Sequence, residues 1–252
     1  MKKITITSGK GGVGKTSLAA NLGVSLVEAG SRTILFDADL QLANVDVALG
    51  IQPEFTLQNV VSGEVPLSRA LCEGPGGLMV IAGGSAVSAL MTAGPKRMGT
   101  FFGQLDALSF DADFLLFDTS AGLDNRVITF CKAADEIIVI TTPDPASVTD
   151  AYATVKVAAR RSPGTPIGII VNQASSDGEA AAVFRTLSSI STRFLDVNLS
   201  LLGTVSSDPK VASCTRQRKS FMVAEPDCAA ARQMRGIAAR LRGPSEAYLV
   251  AA

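Results

Sequence analysis

The chain has 252 residues, 47% of them hydrophobic, and its 23 basic residues balance 23 acidic ones, so the formal net charge is zero. A chain of this length can bury a large core, and a net charge of zero creates no global field that attracts polyanions. The sequence contains no histidine. This absence excludes a Ser-His-Asp triad, a histidine-ligated zinc and imidazole acid–base catalysis by this chain.

The four cysteines are isolated in the sequence, so no C-x-x-C pair indicates a metal centre or a redox dithiol. We expect buried, reduced thiols, as in a cytosolic protein. There is no secretory signal, no lipidation site and no apolar run long enough to cross a bilayer. The sequence therefore predicts a soluble, cytoplasmic protein without a transmembrane segment.

Short apolar runs recur along the chain, separated by turn signals and helical patterns. Apolar residues on consecutive positions are typical of parallel strands that are covered on both faces. The predicted strands are residues 2–7, 32–37, 78–82, 114–118, 136–140, 167–171 and 199–203. The predicted helices are residues 16–29, 90–108, 127–134, 147–161, 179–194 and 229–242. This alternation predicts one α/β domain over residues 1–252, with a doubly wound, mostly parallel sheet of about seven or eight strands.

The first predicted strand runs into a loop that fits the phosphate-binding pattern G-x-x-x-x-G-K-[ST], with a helical pattern after it. Glycines let backbone N–H groups turn toward phosphate oxygens, and the helix N-terminus adds partial positive charge. Lys15 is expected to reach the β- and γ-phosphates, and the Thr16 hydroxyl is expected to bind Mg²⁺. The predicted nucleotide-binding residues here are Gly9, Lys10, Gly11, Gly12, Val13, Gly14, Lys15, Thr16 and Ser17.

Two acidic residues stand at the end of the second predicted strand. Residues i and i+2 of a strand project to the same side, so Asp37 and Asp39 are expected to point together. If this strand end borders the phosphate loop, the pair can hold Mg²⁺ through water or orient an attacking water. The alternative is that both are simply polar residues that open a loop.

Two later strand ends also carry polar side chains. Asp118 ends an apolar strand, which matches the Walker B role of holding Mg²⁺ and sensing the γ-phosphate. The small residues 119–122 after it permit a loop that moves between nucleotide states. Asn172 follows the strand over 167–171, and its donor and acceptor suit the edge of adenine. A turn-forming role for Asn172 is the alternative.

Residues 10–16, Lys-Gly-Gly-Val-Gly-Lys-Thr, resemble the deviant Walker A loop of the MinD/ParA ATPases, with Lys10 as its extra lysine. The resemblance continues nearly to the end of the fold, through residues 36–39, 44–46, 118–122, 141–143, 150–152 and 171–172. Residues 39–50, with 74–78 and 83–85, are most similar to the FlhG/FleN branch. Members of that branch regulate flagellar number and placement.

The resemblance implies a slow, Mg²⁺-dependent ATPase that forms an ATP-dependent sandwich homodimer and acts with protein partners as a nucleotide-switched spatial regulator. By this resemblance, Lys10 would cross to the partner subunit's nucleotide, and Asp39 would orient the water. Phosphoryl transfer needs positioning and cationic stabilisation, so the absence of histidine is no obstacle. The implied catalytic residues are Lys10, Lys15 and Asp39, the metal-binding residues Thr16, Asp37 and Asp118, and the adenine contact Asn172.

The C-terminal region is rich in basic residues, and its last predicted helix has an apolar and a basic face. One interpretation is a core-docked helix with a solvated basic face; the other is contact with DNA phosphates or anionic lipid. Two further functions therefore stay open: a DNA-associated partition or cargo-positioning ATPase of the ParA type, and a metabolic enzyme on the same fold. The basic residues are Lys210, Arg216, Arg218, Lys219, Arg232, Arg235, Arg240 and Arg242.

Overall fold

The computed structural model describes residues 1–39, 45–83, 85–92, 94–108, 112–122 and 124–243. Residues 40–44, 84, 93, 109–111, 123 and 244–252 lie outside the described residues. Asn44 and Gly84, which belong to segments that carry the resemblance to the FlhG/FleN branch, are among them.

Eight strands form one sheet in the order β3-β4-β2-β5-β1-β6-β7-β8. In the part of the chain that the structure describes, every neighbouring pair is parallel except β3 and β4. The predicted doubly wound, mostly parallel sheet is therefore confirmed. The strands are β1 (Lys2–Thr7), β2 (Thr33–Ala38), β3 (Leu71–Glu73), β4 (Met79–Ile81), β5 (Phe114–Thr119), β6 (Glu136–Thr141), β7 (Ile167–Ala174) and β8 (Leu199–Ser206).

Helices cover both faces of the sheet. They are α1 (Lys15–Glu28), α2 (Val45–Leu49), α3 (Leu57–Val61), α4 (Ser85–Thr92), α5 (Pro95–Ala107), α6 (Asn125–Ala133), α7 (Pro145–Arg161), α8 (Asp177–Leu195), α9 (Pro209–Arg216), α10 (Phe221–Ala224) and α11 (Ala229–Arg242). One face packs α1, α2, α9, α10 and α11 over Ile4, Leu116 and Leu202, and the other packs α3 to α8. Short 3₁₀ turns occupy Leu67–Ala70 and Pro75–Gly77.

The prediction of a single helix over residues 90–108 is wrong. The chain there forms two helices, α4 and α5, and Gly94 between them has a φ of 93°. Pro95 is the first residue of α5, where its missing N–H costs nothing because that position has no intrahelical partner. The left-handed glycine and the proline together end one helix and begin the next. The apolar spacing of the two helices happens to continue across this break.

The sheet order brings the predicted site residues to one edge. Ile6 of β1 is in register with Asp118 of β5, and Asp37 of β2 is in register with the same aspartate. The carboxyl ends of three adjacent parallel strands therefore meet where the phosphate-binding loop begins, which is the usual ligand position in such sheets. β3 was not predicted, because a three-residue edge strand is too short to carry a pattern.

Candidate nucleotide-binding site

The loop between β1 and α1 has a backbone that requires glycine. Gly12 and Gly14 have φ values of 81° and 86°, in the left-handed region that other residues rarely adopt. A Cβ atom on Gly9 would lie 2.3 Å from the carbonyl oxygen of Asp150 in α7. A Cβ on Gly11 or Gly12 would meet no atom of the described residues within 4 Å, so those residues leave that side of the loop open. These features give a concave turn at the N-terminus of α1, which is the geometry that binds phosphate. We call residues 9–16 the phosphate-binding cradle.

Lys15 and Asp118 form a buried ion pair beneath this loop. The Lys15 ammonium lies 2.7 Å from Asp118 Oδ1, and the two side chains are 7% and 1% exposed. Burial raises the pKa of Asp118, and the nearby Lys15 ammonium and Thr16 hydroxyl oppose that rise. The pair therefore places a cation at the loop and a carboxylate directly behind it.

The second carboxylate oxygen of Asp118 is relevant to metal binding. Asp118 Oδ2 is buried and has no hydrogen-bond partner within the described residues. A buried carboxylate oxygen without a donor is unfavourable, unless a cation or a water molecule completes it. Oxygen ligands from a carboxylate and a hydroxyl are those that Mg²⁺ prefers, so Asp118 with Thr16 fits a magnesium ion or its bound water.

Asp37 and Asp39 lie next to this pair but differ in their surroundings. Asp37 is buried, and its two carboxylate oxygens accept hydrogen bonds from the N–H groups of Asp39 (3.0 Å) and Val45 (3.2 Å). Asp37 thus ties the end of β2 to the first residue of α2. Asp39 is half-buried where β2 ends. The predicted roles of the two carboxylates toward metal and water stay predictions.

Lys10 is paired with a residue outside the loop and is partly exposed. Its ammonium pairs with Asp144, the N-cap residue of α7, and both side chains are nearly half exposed. The Asp144 carboxylate raises the pKa of Lys10, and Lys10 lowers the pKa of Asp144. Exposed pairs of this kind are weak, because water screens them and holding two side chains together costs entropy. Lys10 can therefore exchange this partner for another anion at small cost.

Asn172 contacts the phosphate-binding loop itself. Its Nδ2 donates a hydrogen bond of 2.7 Å to the Val13 carbonyl, and a Cβ on Gly14 would lie 2.5 Å from the same nitrogen. Gln173, the next residue, has a left-handed φ of 59°, and the register of β7 with β8 shifts here. Asn172 supports the loop from below. The predicted contact with adenine stays a prediction.

Two contacts were not predicted from the sequence. Asp144 as the partner of Lys10 is one, although the run Asp144-Pro145 is a typical N-cap followed by proline and could have indicated a helix start there. The other links the residues after β5 to the loop: the Gly122 N–H donates to the Ser8 carbonyl at 2.9 Å. The segment after Asp118 is therefore tied directly to the phosphate-binding loop.

This geometry agrees with the proteins that the chain matches. A family model described as ParA, NUBPL iron-transfer P-loop NTPase, matches residues 1–242. The chain belongs to the ParA/MinD family of P-loop NTPases. As a member of this family it is an ATPase, and the resemblance predicted from residues 10–16 is confirmed.

Curated relatives support the predicted branch. The antiactivator FleN of Pseudomonas aeruginosa is 34% identical over 94% of this chain and 85% of its own length. The flagellum site-determining protein YlxH of Helicobacter pylori is 32% identical over 90% of this chain and 76% of its own length. Among solved structures, the cell division ATPase MinD of Pyrococcus furiosus superposes with a TM-score of 0.78 at 26% identity, over 95% of this chain and 98% of that one. These relatives support a nucleotide-dependent positioning regulator of the MinD/FlhG type.

Three of the four cysteine side chains are buried, as the sequence predicted, and the fourth is half-buried. Cys131, Cys214 and Cys228 are buried, Cys72 is half-buried, and burial raises the pKa of Cys131 to about 12. Within the described ranges, no group of three histidine, cysteine or acidic side chains could hold a metal ion. No helix in those ranges has the length and apolar character needed to cross a membrane.

Proposed function

We propose that the chain is a slow, switch-like ATPase that dimerises around ATP and positions other proteins in the cell. The observation that carries this proposal is the placement of two lysines on one loop. Lys15 is buried against Asp118 at the loop, whereas Lys10 is exposed and paired at the surface with Asp144. A partly exposed lysine with a weakly bound partner is suited to reach a nucleotide held by a second protomer.

The residues of the loop would hold ATP by its phosphates. Backbone N–H groups of residues 9–14 and the N-terminus of α1 would bind phosphate oxygens, and Lys15 would exchange its Asp118 partner for the β- and γ-phosphates. Thr16, Asp118 and, through water, Asp37 would hold Mg²⁺, which neutralises phosphate charge when bound. Asn172 would keep the loop in shape and contact adenine.

Hydrolysis needs a water molecule held in line with the γ-phosphate, and Asp39 is the residue proposed to orient it. Lys10 of each protomer would stabilise the charge that develops on the other protomer's nucleotide. Because the chain supplies only positioning and cations, turnover is expected to be slow and to time the lifetime of the dimer. The link from Gly122 to Ser8 gives the segment after Asp118 a direct contact through which it would follow the nucleotide state.

The names of the relatives suggest what such a switch controls. One is called an antiactivator, one a flagellum site-determining protein, and a MinD of Aquifex aeolicus that is 25% identical was solved in a MinC:MinD complex. We propose that this chain likewise recruits or releases a protein partner of a positioning system. Attachment to a membrane or to the nucleoid would then come through that partner.

The test is the mass of an Asp39→Ala variant with Mg-ATP, measured by multi-angle light scattering. Loss of the water-orienting carboxylate should block hydrolysis, so ATP but not ADP should double the mass. A second variant, Asp39→Ala with Lys10→Ala, should stay monomeric because the crossing lysine is missing. If the single variant stays monomeric at saturating ATP while calorimetry detects bound nucleotide, the sandwich dimer is refuted and only a nucleotide-binding protein remains.

A further inference from the structure

Half of the eight basic side chains of the C-terminal region are used inside the chain. Four of them bond to groups of the chain itself: Lys210 to Glu225, Arg235 to Glu28, Arg232 to the Asp227 carbonyl and Arg240 to the Leu202 carbonyl. The helix α11 is thus a core-docked helix whose basic face is largely tied to its surroundings. The described residues of α11 therefore do not offer a broad cationic face to a polyanion.

Three cations of this region are different. Arg216, Arg218 and Lys219 lie in a run of five consecutive exposed residues, 215–219, between buried Cys214 and buried Ser220. Among the residues that the structure describes, no carboxylate pairs with any of the three. We call residues 215–219, which are the last two residues of α9 and the turn after it, the basic loop. It concentrates positive charge that no carboxylate of the described residues neutralises.

The backbone of the basic loop has one strained residue. The Arg218 N–H donates to the Thr215 carbonyl at 3.1 Å, and the Lys219 N–H donates to the Cys214 carbonyl at 3.0 Å. These two bonds form the turn that ends many helices, in which the left-handed position is usually glycine. Here that position is Arg218, with a φ of 55°. The chain keeps a long cationic side chain where glycine would be less strained, and such strain is concentrated at functional positions.

The basic loop is also fixed in place from below. Asn21 Oδ1 accepts hydrogen bonds from the Ser220 hydroxyl at 2.8 Å and from the Met222 N–H at 3.2 Å. Asn21 belongs to α1, the helix that begins with Lys15. On the other side, a Cβ on Gly50 would lie 2.8 Å from the Arg218 carbonyl oxygen, so the loop packs closely against the end of α2. The three cations are therefore presented from a preorganised backbone.

An exposed apolar side chain follows the basic loop in the chain. Val223 of α10 is 54% exposed, four residues after Lys219, and Ala224 beside it is exposed as well. A valine adds nothing to phosphate binding, and a single small apolar side chain is too little to insert into a lipid interface. Carboxylates and an apolar side chain occur together in protein segments. Charge complementarity and the apolar neighbour thus favour a protein ligand.

We propose that the basic loop and Val223 form a docking surface for an acidic segment of a partner protein. Its carboxylates would pair with Arg216, Arg218 and Lys219, where arginine can bind a carboxylate with two hydrogen bonds, and an apolar side chain would cover Val223. This partner site does not depend on nucleotide turnover, although the bond to Asn21 connects it to the helix of the phosphate-binding loop. It adds to the proposed function the chemistry of a partner.

The probe is a fluorescein-labelled peptide of repeated Asp-Leu-Glu units, compared with a peptide in which serine replaces every leucine. Fluorescence anisotropy should give saturable binding of the leucine peptide by the full chain at low salt, several-fold tighter than the serine peptide. Binding should weaken as salt is raised, because it relies on exposed charges. Absence of saturable binding, or equal binding of the two peptides, overturns the proposal.

Variants identify the surface. Arg218→Gly removes a charge and relieves the left-handed backbone, so it should weaken peptide binding at least fivefold while the melting temperature does not fall. A double variant, Arg216→Ala with Lys219→Ala, should weaken binding further. Arg185→Ala removes an exposed cation from α8 and should change nothing. If Arg185→Ala weakens binding as much as Arg218→Gly, the binding is non-specific and the proposal fails.

Three other ligands are compared in the same experiment. Arbitrary duplex DNA, vesicles of phosphatidylglycerol and the chain's own ATP-bound dimer are each measured with wild type and with Arg218→Gly. A loss of DNA or vesicle binding in the variant, with no peptide binding in wild type, replaces the acidic partner by that ligand. ATP turnover, measured separately, should be unchanged in Arg218→Gly, so that failure of the docking surface and failure of the nucleotide switch give different results.

Discussion

The phosphate-binding cradle, which leads into α1, and the basic loop, which is bonded to Asn21 of α1 through Ser220, both present cations but hold them in opposite ways. Lys15 is 7% exposed and lies 2.7 Å from Asp118, whereas Arg216, Arg218 and Lys219 are exposed and have no carboxylate partner among the described residues. A buried charge has lost its water, so only a ligand that supplies compensating charge can separate it from its partner. Exposed charges keep their water and change partners easily. Burial thus makes the cradle selective, and exposure makes the loop adaptable.

The largest expected effect comes from removing the buried cation of the cradle, Lys15. Lys15→Ala should abolish detectable ATP binding in calorimetry with Mg²⁺, because the cation for the phosphates is gone. It should also lower the free energy of unfolding by about 3–5 kcal/mol, since Asp118 is left buried without its cation. Unchanged nucleotide binding in this variant would contradict the assignment of the cradle.

The same variant has a pH dependence with a definite sign. Burial raises the pKa of Asp118, and removal of the Lys15 ammonium should raise it further. A folded-state pKa above the unfolded one makes stability fall as pH rises through the folded pKa. Denaturant unfolding should therefore show that Lys15→Ala loses less free energy of unfolding, relative to wild type, at pH 5 than at pH 8. As a control, Lys15→Ala with Asp118→Asn should remove this slope without restoring nucleotide binding.

A smaller effect is expected when the hydrogen bond from Asn172 to the cradle is removed. Asn172→Ala removes the donor to the Val13 carbonyl and leaves that buried oxygen without this partner, at a cost of about 1 kcal/mol. Because Val13 and Gly14 shape the loop, we expect ATP affinity to fall roughly fivefold to tenfold, measured by calorimetry. Gln173→Gly changes the exposed, left-handed neighbour and should leave affinity intact. Equal losses in both variants would point to β7 as a whole and not to the Asn172 bond.

Two glycine substitutions in the basic loop are expected to change the free energy of unfolding in opposite directions. Arg218→Gly should raise the free energy of unfolding by about 1 kcal/mol, because glycine adopts a φ of 55° without the steric cost of a side chain. Arg216→Gly, at the last helical residue of α9, should lower it by a similar amount or less. Both variants remove one positive charge, so chemical denaturation separates backbone strain from electrostatics. If both variants raised the free energy of unfolding, repulsion among the cations would outweigh the backbone effects; if both lowered it, the expected relief of strain at residue 218 would be refuted.

The smallest effect concerns the exposed lysine of the cradle. Asp144→Asn should keep the N-cap of α7 but weaken the hold on Lys10, which then reaches a second protomer more easily. We expect the protein concentration needed for half-maximal ATP-dependent dimerisation to fall about two- to fivefold, measured by light scattering at low salt. The difference should vanish at high salt, where exposed pairs are screened. A higher midpoint in the variant would mean that Asp144 assists dimerisation.

Local patterns in the sequence were sufficient for the cradle and for most of the sheet. The glycine spacing of residues 9–14 gives the loop torsions, and consecutive apolar residues indicate strands covered on both faces. The same local reasoning was wrong at Gly94 and Pro95, where continuous apolar spacing outweighed two helix-ending residues that were present in the sequence. It also missed β3, whose three residues carry no pattern.

By itself, the sequence determined which residues could bind a triphosphate, because the pattern that binds phosphate is contained in eight consecutive positions, residues 9–16. The tertiary structure alone decided their partners. Lys10 meets Asp144 from 134 positions away, Lys15 meets Asp118 from 103, and Asn172 meets Val13 from 159. Backbone torsions and side-chain periodicity are set locally, but the pairing of distant charges depends on the order of strands in the sheet, which no short stretch of the chain encodes.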